Sequence, residues 1–452
     1  MPDAADPLTP DLRARFPLID AAGARLLRRL EEHPQAPRFT HPGVDRLTPA
    51  GLQRAAEFAP LAAGASPWTQ TTRPPWLAGF VERCYRTVPI YRRRGLAPAR
   101  FDDVPATTRA DLGREPWAFV PDDQALDGLV VYNTSGTTGH PLSILTHADT
   151  LALYLPLLRA AVGWHGLTLP AGPGRVAIAL VAWQHRTYTY AAVSAVLDQA
   201  GFVKVNLHPD DWRDPTDRAR FLDDCAPAVI TGDPLALAEL ARLPLTARPL
   251  AVVSTAMALA PGLRAAWSAH WGCPVLDVYS LNESGPVAVL AGPGYRLLQP
   301  ELYVEVLDEA GQPCPPGGRG EIALTGGFNP CLPLLRYRTN DYARLEFDEI
   351  GPYLADLQGR APVLFFGGDG RRVNNIDVAI ALRDLPLAWY TLHQAADGVL
   401  TLRAASGSPT SEMWERLAAL FGPKTGLRIE LSDAPDGKRR QFTSDLSEAG
   451  GA

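Results

Sequence analysis

The chain lacks the cysteine pattern of a disulfide or zinc framework. Its five cysteines are odd in number, scattered, and include no Cys-x-x-Cys pair, which favours reduced thiols. No uninterrupted apolar run reaches membrane-spanning length, and the first residues lack a basic stretch followed by an apolar one. These absences argue against a disulfide scaffold and a membrane partner, and they predict a cytoplasmic protein.

An excess of charge of one sign is also missing. The 452 residues carry a net charge of −6, with 20% charged and 46% hydrophobic residues. This balance argues against disorder and against a nucleic-acid partner recruited by bulk charge. A chain of this length can bury a large core and predicts two or three domains.

Apolar segments alternate with helical patterns between residues 76 and 330, for example at 176–181, 228–231 and 250–254. Such alternation predicts α/β layers with buried strands. Residues 1–75 are rich in Pro, Ala and Arg, and they predict an N-terminal helical segment that precedes the main domain. Residues 361–452 predict a separate small α+β domain, with a strand at Leu400–Arg403 and a helix that begins after Ser408 and ends at Gly422.

A phosphate-binding segment is predicted at 132–141, where the sequence reads YNTSGTTGHP just after an apolar strand. Gly136 and Gly139 permit close backbone approach to phosphate oxygens. Hydroxyl and amide donors come from the neighbouring residues Thr134, Ser135, Thr137 and Thr138. The spacing is not that of the Walker loop, and taken alone the segment reads equally well as an ordinary Ser/Thr/Gly turn.

This segment resembles the Thr-Ser-Gly-Thr-Thr-Gly-Lys-Pro signature of adenylate-forming enzymes, the acyl-CoA and aryl-CoA synthetase superfamily. Later segments resemble further motifs of that superfamily in the same order: YSLNESGP at 279–286, RYRTND at 336–341, Gly359-Arg360, and DGKRR at 436–440. Segments 84–92 and 104–112 are similar to the phenylacetate-CoA ligase branch. The resemblance implies a large multi-layer α/β adenylation domain at 76–358 and a small mobile C-terminal lid at 361–452.

The resemblance also implies residue roles. It assigns ATP binding to the phosphate segment 134–139 and to Tyr279, Ser280, Asn282, Asp341 and Arg360. Asp341 would contact the ribose hydroxyls. Glu283 would hold Mg²⁺, because a hard cation prefers carboxylate and phosphate oxygens. Lys438 would bridge the substrate carboxylate and the α-phosphate as a mobile charge. The alternatives are a solvated lysine for Lys438, a helix-terminal carboxylate for Glu283, and a turn or cap residue for Asp341.

The acid pocket is expected at 181–190, which resembles the family's Phe-His segment. The aromatic residues that would stack on a flat aromatic acid are Trp183, His185, Tyr188 and Tyr190. Aromatic residues that follow a strand also occur as core residues, and that alternative stays open. Nothing in the sequence supports His185 as a general base.

Three departures from the family pattern concern the chemistry. His140 replaces the loop lysine, counts among the implied catalytic residues, and brings less charge at neutral pH. Pro362 stands at the hinge, where its ring fixes φ. Residues 253–257 (VSTAM) replace a Gly-Glu-Pro-like turn. We therefore expect adenylation to persist while the second half-reaction is altered.

The implied function is ATP-dependent activation of a carboxylic acid, expected to be aromatic, to an acyl-adenylate with release of pyrophosphate. The acyl group would pass to CoA, a carrier-protein thiol or an amine, and the branch also implies a homodimer. The alternative is a nucleotide-binding, catalytically impaired homologue that acts as a binding or regulatory protein. Pyrophosphate release that depends on an acid distinguishes the two.

Overall fold

The computed structural model describes residues 8–64, 66, 68–133, 142–183, 187–315, 317–359, 363–374, 378, 381–382, 384–387, 389–433 and 441–446. Three helices open this part of the chain: α1 (Pro10–Arg15), α2 (Ala21–Glu31) and α3 (Pro49–Ala62). Thr9, Asp20 and Thr48 cap them by accepting a backbone N–H of the first turn. The helical character predicted for this region is confirmed, whereas a domain boundary at residue 75 stays a prediction.

The remaining helices are α4 (Leu77–Thr87), α5 (Pro89–Arg92), α6 (Arg109–Arg114), α7 (Ala148–Leu151), α8 (Tyr154–Gly163), α9 (Asp217–Cys225), α10 (Pro234–Leu240), α11 (Pro261–Trp271) and α12 (Thr410–Phe421). Short 3₁₀ turns lie at Phe101–Asp103, Pro116–Phe119, Ala195–Leu197 and Pro209–Asp211. Within the described ranges, every helix is too short or too polar to cross a lipid bilayer.

The strands of the first half of the chain are β1 (Leu129–Asn133), β2 (Ser143–His147), β3 (Val176–Ala182), β4 (Tyr190–Ser194), β5 (Ala200–Asn206), β6 (Val229–Gly232), β7 (Ala251–Thr255), β8 (Val275–Leu281), β9 (Gly285–Ala291) and β10 (Gly294–Leu297). Those of the second half are β11 (Leu302–Leu307), β12 (Arg319–Gly326), β13 (Leu334–Phe347), β14 (Pro352–Gly359), β15 (Leu364–Phe366), β16 (Arg372–Asn374), β17 (Tyr390–Gln394), β18 (Leu400–Ala405), β19 (Leu427–Ser432) and β20 (Phe442–Ser444).

A twelve-stranded sheet forms the centre of the molecule, in the order β11-β12-β13-β14-β10-β9-β8-β7-β6-β3-β5-β4. Strands β5, β3, β6, β7 and β8 are parallel, and their neighbours on both sides are antiparallel. One apolar core packs the parallel strands against α2, α9, α10 and α11, and a second packs them against α8. Strands covered on both faces read as continuous apolar runs, as predicted for 176–181. The predicted α/β class is confirmed.

A buried arginine fixes the start of α6 against the antiparallel half of the sheet. Arg336 on β13 is 3% exposed, adopts φ 43°, and pairs with Glu305 at 3.2 Å. Its guanidinium also donates to the carbonyls of Asp102 and Val104, at 2.8 and 2.9 Å. The backbone of Thr107 bonds to β13 next to it. The loop that leads into α6 is therefore held beside β13.

The C-terminal part forms its own sheet, β19-β18-β17-β20, with α12 packed on it around a separate apolar core. The strand predicted at Leu400–Arg403 and the helix predicted between Ser408 and Gly422 are confirmed, as β18 and α12. Arg360 and Pro362 lie outside the described residues. That this part begins at residue 361 and moves as a lid stays a prediction.

Candidate active site

The turn that follows β8 carries Glu283 at the carboxyl ends of the parallel strands, where open α/β sheets bind ligands. Gly285 adopts φ +68°, and a Cβ there would lie 2.5 Å from Cε1 of Phe328. Buried Gln299 holds the same turn, because its side-chain amide donates to the carbonyls of Ser284 (2.6 Å) and Pro286 (2.7 Å). The backbone around Glu283 is therefore rigidly placed.

Glu283 is 5% exposed and accepts two hydrogen bonds on the same oxygen. Nη1 of Arg109 and the hydroxyl of Tyr337 both donate to Oε1, each at 2.8 Å. Burial, followed by the negative charge of Glu283, raises the pKa of Tyr337 well above its usual value, so this phenol stays a donor. In the described part of the chain, Oε2 accepts no hydrogen bond. The site thus presents a buried carboxylate with one oxygen available.

Tyr279 and Asp341, both predicted to bind the nucleotide, lie in direct contact. The hydroxyl of Tyr279 donates to Oδ2 of Asp341 at 2.7 Å, and burial followed by that carboxylate raises the pKa of Tyr279. Asn340 precedes Asp341 with φ +59° and occupies the motif position where the family has glycine. Asparagine tolerates the left-handed region better than most side chains, so the turn before Asp341 forms with little strain.

A tyrosine pair connects the phosphate segment to the turn of Glu283. The hydroxyl of Tyr132 on β1 donates to the carbonyl of Asn282 at 2.9 Å and contacts the hydroxyl of Tyr154 on α8. Burial raises the pKa of Tyr132, and the Tyr154 contact adds to this. Asn133 and Ser143 pair across the β1–β2 hairpin. Both ends of the phosphate segment are therefore held together beside Asn282.

The aromatic residues predicted for the acid pocket separate into two places. Tyr188 and Tyr190 stack with ring centroids 6.1 Å apart and an interplanar angle of 8°. Trp183 packs against the apolar core that contains α2, which Tyr190 also borders, and lines a cavity of about 280 Å³ together with Trp389 and residues of the C-terminal sheet. Both the pocket role and the core alternative of Trp183 therefore stay predictions. His185 lies outside the described residues.

The predicted site residues that fall outside the described residues are Thr134, Ser135, Gly136, Thr137, Thr138, Gly139, His140, His185, Arg360 and Lys438. Their roles stay predictions, as do those of the residues that the structure places. Ser280 is half-buried at the end of β8. Sequence reasoning missed Arg109, Tyr132, Tyr154 and Tyr337 as partners in the site. Arg109 and Tyr337 lie inside segments that resemble family motifs, and this was the available signal.

Ala256, in the turn that replaces the family's Gly-Glu-Pro-like segment, adopts φ +70°. A side chain in this region costs about 1–2 kcal/mol, and part of the relief from Ala256→Gly is offset by the flexibility of glycine in the unfolded chain. We expect the variant to raise the free energy of unfolding by roughly 0.5 kcal/mol, measured by urea denaturation. Ala265→Gly, on the exposed face of α11, is the matched control and should destabilise by roughly 1 kcal/mol. Equal losses in both variants would contradict the strain at Ala256.

The sheet order and the separate C-terminal sheet define an acyl-CoA ligase fold. The chain superposes on 2-hydroxyisobutyryl-CoA ligase in the postadenylation state, in complex with 2-HIB-AMP, with a TM-score of 0.61 at 19% identity over 91% of this chain and 92% of that one. The open conformation of the same ligase with 2-HIB-AMP and CoA gives a TM-score of 0.53 at 18% identity, over 81% and 89% of the two chains.

The model of the AMP-binding enzyme family matches residues 92–329, more than half of the chain. The chain belongs to this family, on its phenylacetate-CoA ligase-like branch. It is 25% identical over 298 residues to phenylacetate-coenzyme A ligase of Aromatoleum evansii, covering 59% of this chain and 64% of the relative. It is also 25% identical to the enzyme of the same name from Escherichia coli K12, over 61% and 66%. The matches thus span slightly less than two thirds of each curated relative, 64% and 66%.

Proposed function

We propose that this protein activates a carboxylic acid with ATP and transfers the acyl group to CoA. One observation carries the proposal: the end of β1, the turn after β8 and the middle of β13 lie together, with Tyr132 bonded to Asn282, Tyr337 to Glu283 and Tyr279 to Asp341. These are the parts needed to hold a polyphosphate, a metal ion and a ribose side by side. The names of the curated relatives support an acid–CoA ligase.

In the first step, a carboxylate oxygen of the acid attacks the α-phosphorus of ATP. A P–O bond forms, the bond from the α-phosphorus to the bridging oxygen breaks, and pyrophosphate leaves with the electron pair. Both reactants are anionic, so nearby cations lower the barrier. Among the described residues, Arg109 brings a positive charge to the site, with its guanidinium 2.8 Å from Glu283. We infer that it supplies charge that His140 does not.

In the second step, the sulfur of CoA attacks the acyl carbonyl carbon. The C–S bond forms, the C–O bond to AMP breaks, and the thiol proton leaves to solvent. The relatives that carry the name phenylacetate-coenzyme A ligase support an aromatic acid.

Mg²⁺ fits Glu283 as a single protein ligand. No group of three or more metal-binding side chains occurs among the described residues, and Mg²⁺ commonly takes one or two carboxylates with substrate phosphates and water. Glu283 keeps Oε2 available for this contact. When bound, the metal would neutralise phosphate charge. Arg109 on the other oxygen weakens the attraction of Glu283 for a cation, so we expect binding that depends on the nucleotide.

The test is pyrophosphate release from ATP and Mg²⁺ across a panel of aromatic and aliphatic acids, each with and without CoA. We expect release that requires a particular acid, with a CoA thioester forming more slowly than the acyl-adenylate. Equal rates of the two steps would contradict the altered second half-reaction. ATP binding without release from any acid would favour the alternative of a nucleotide-binding protein that has lost turnover.

A further inference from the structure

Lys204 is a half-buried lysine on the face of the sheet that α8 covers. It lies on β5, in register with Leu180 of β3 and Tyr190 of β4. Residues paired across strands project from the same face of a sheet. The ammonium group of Lys204 therefore belongs to the face that also carries the stacked pair of Tyr188 and Tyr190.

The ammonium group lies over an aromatic ring, and the described part of the chain offers it no anionic partner. Nζ is 3.5 Å from the ring centroid of Tyr188, a cation–π contact. Among the residues that the structure describes, no carboxylate lies within ion-pair distance of Lys204. Burial lowers the pKa of Lys204 to about 8. A partly dehydrated cation without a counter-ion is unfavourable for folding, which points to a ligand that supplies the missing charge.

A cleft runs along this face at the carboxyl ends of the parallel strands. Leu180, Thr231 and Thr255 are half-buried, although they lie in inner strands of a sheet whose neighbouring residues are buried. Their register places them on the face of Lys204. Inner parallel strands are normally covered completely. The half-exposure therefore marks an opening between this face and the elements above it.

The cleft connects Lys204 with the turn of Glu283. Strands β5 and β8 are four strand spacings apart, roughly 19 Å between backbones. Two tyrosines connect the ends: Tyr188 contacts Lys204, and its hydroxyl is near enough to Tyr132 to contribute to the raised pKa of that residue. Tyr132 in turn contacts Asn282, next to Glu283. A ligand that reaches both ends must be elongated.

We propose that Lys204 and Tyr188 form a distal subsite that binds the second carboxylate of an elongated dicarboxylic acid, whose first carboxylate is adenylated beside Glu283. The aromatic ring would hold the ammonium group in place, and the bound carboxylate would neutralise it. This inference rests on the proposed function and adds the class of substrate. It makes Lys204 a specificity-determining residue.

The choice of lysine at this position supports a role in the cleft. The chain contains only three lysines, Lys204, Lys424 and Lys438, and its remaining basic residues are arginines. Arginine is always charged, whereas the lysine ammonium is a compact point charge that fits a narrow pocket. Lys424 is exposed in the C-terminal part of the chain and offers a matched control.

The experiment compares dicarboxylic acids with monocarboxylic acids of equal length. The aliphatic pairs run from adipate and hexanoate to sebacate and decanoate, and the aromatic pair is 4-carboxycinnamate and cinnamate. For each pair, kcat/KM of pyrophosphate release is measured for the wild type, Lys204→Met, Lys204→Arg and Lys424→Met. We expect the wild type to prefer one dicarboxylate, and Lys204→Met to lower its kcat/KM by about tenfold or more through KM. The matched monoacid should be unaffected, Lys204→Arg should restore part of the preference, and Lys424→Met should resemble the wild type.

Two further measurements separate a failed subsite from a failed function. Lys204→Met should unfold at the same or a higher temperature than the wild type, because it removes a dehydrated charge. Calorimetric titration with the same acid pairs reports binding without turnover. If the wild type binds a dicarboxylate and Lys204→Met does not, the subsite is supported. This holds even if no acid releases pyrophosphate, a result that would reject only the proposed function. A dicarboxylate-to-monoacid ratio unchanged by Lys204→Met, in both turnover and binding, would overturn the inference.

Discussion

Replacing Glu283 with glutamine is expected to lower acid-dependent pyrophosphate release by about 100-fold or more. Glutamine can still accept the hydrogen bonds of Arg109 and Tyr337 on its carbonyl oxygen, so the turn should keep its shape. The variant removes the negative charge, and with it the oxygen available to a hard cation. The measurement is the initial rate of pyrophosphate release at increasing Mg²⁺ concentration.

The Mg²⁺ series distinguishes two roles for Glu283. If it holds the metal, the variant needs more Mg²⁺ to reach half of its maximal rate. If it only positions Arg109, the Mg²⁺ dependence stays that of the wild type and the maximal rate falls. A rate within tenfold of the wild type at every Mg²⁺ concentration would contradict both roles.

Glu305→Gln is the matched control for this experiment. Glu305 is also a buried glutamate paired with an arginine, Arg336, at 3.2 Å. Its partner Arg336, and not Glu305 itself, bonds the loop before α6, and those bonds to the carbonyls of Asp102 and Val104 remain possible when residue 305 loses its charge. We therefore expect Glu305→Gln to lower stability, because it weakens a buried ion pair, while the folded fraction keeps its rate. A loss of rate equal to that of Glu283→Gln would attribute the effect to disturbed packing.

The local elements of this fold were predictable because their signals lie in contiguous sequence. The apolar run 176–181 and the pattern around Leu400 both predicted strands that the structure contains. The helix between Ser408 and Gly422 was marked by its own start and stop residues. Motif position assigned both Tyr279 and Asp341 to the nucleotide, and in the structure these two residues are in contact.

Contacts between distant residues could not be predicted in the same way. Arg109 and Glu283 are 174 positions apart, and their ion pair depends on how the loop before α6 is fixed to β13. An arginine or a glutamate in the sequence does not indicate which residue it will pair with. Trp183 shows the same limit on a smaller scale. It follows a strand that is covered on both faces, so the apolar run does not show which face the residue joins, and the structure packs it against the core that contains α2.

Backbone conformation shows which side chains can stand at a substituted motif position. Asn340 stands where the family motif has glycine and adopts a left-handed conformation at φ 59°. Asparagine is among the few residues that tolerate this region. Ala256 adopts a similar conformation without that tolerance. Substituted motif positions are therefore better judged by the φ they must adopt than by similarity of side chains.

A second large effect is expected from Asp277→Asn, and it should depend on pH. Asp277 lies on β8, two residues before Tyr279, and is 4% exposed. Burial raises its pKa to about 7, although the hydroxyl of Tyr295 donates to it at 2.7 Å and opposes that shift. An unfolded aspartate titrates near pH 4. Between about pH 4 and pH 7 the unfolded chain thus binds fewer protons than the folded one, so this residue lowers stability as pH rises.

Asparagine removes that titration and still offers an oxygen to Tyr295. At pH 8 the variant should exceed the wild type in free energy of unfolding by roughly 2–4 kcal/mol, and near pH 4.5 the two should be similar. Urea denaturation at both pH values measures the difference. Tyr295→Phe is the companion variant: loss of its hydrogen bond should raise the pKa of Asp277 further and extend the decline in stability above pH 7. If the free energy of unfolding depends on pH in the same way for the wild type and Asp277→Asn, Asp277 has an ordinary pKa. Its carboxylate would then be charged at neutral pH.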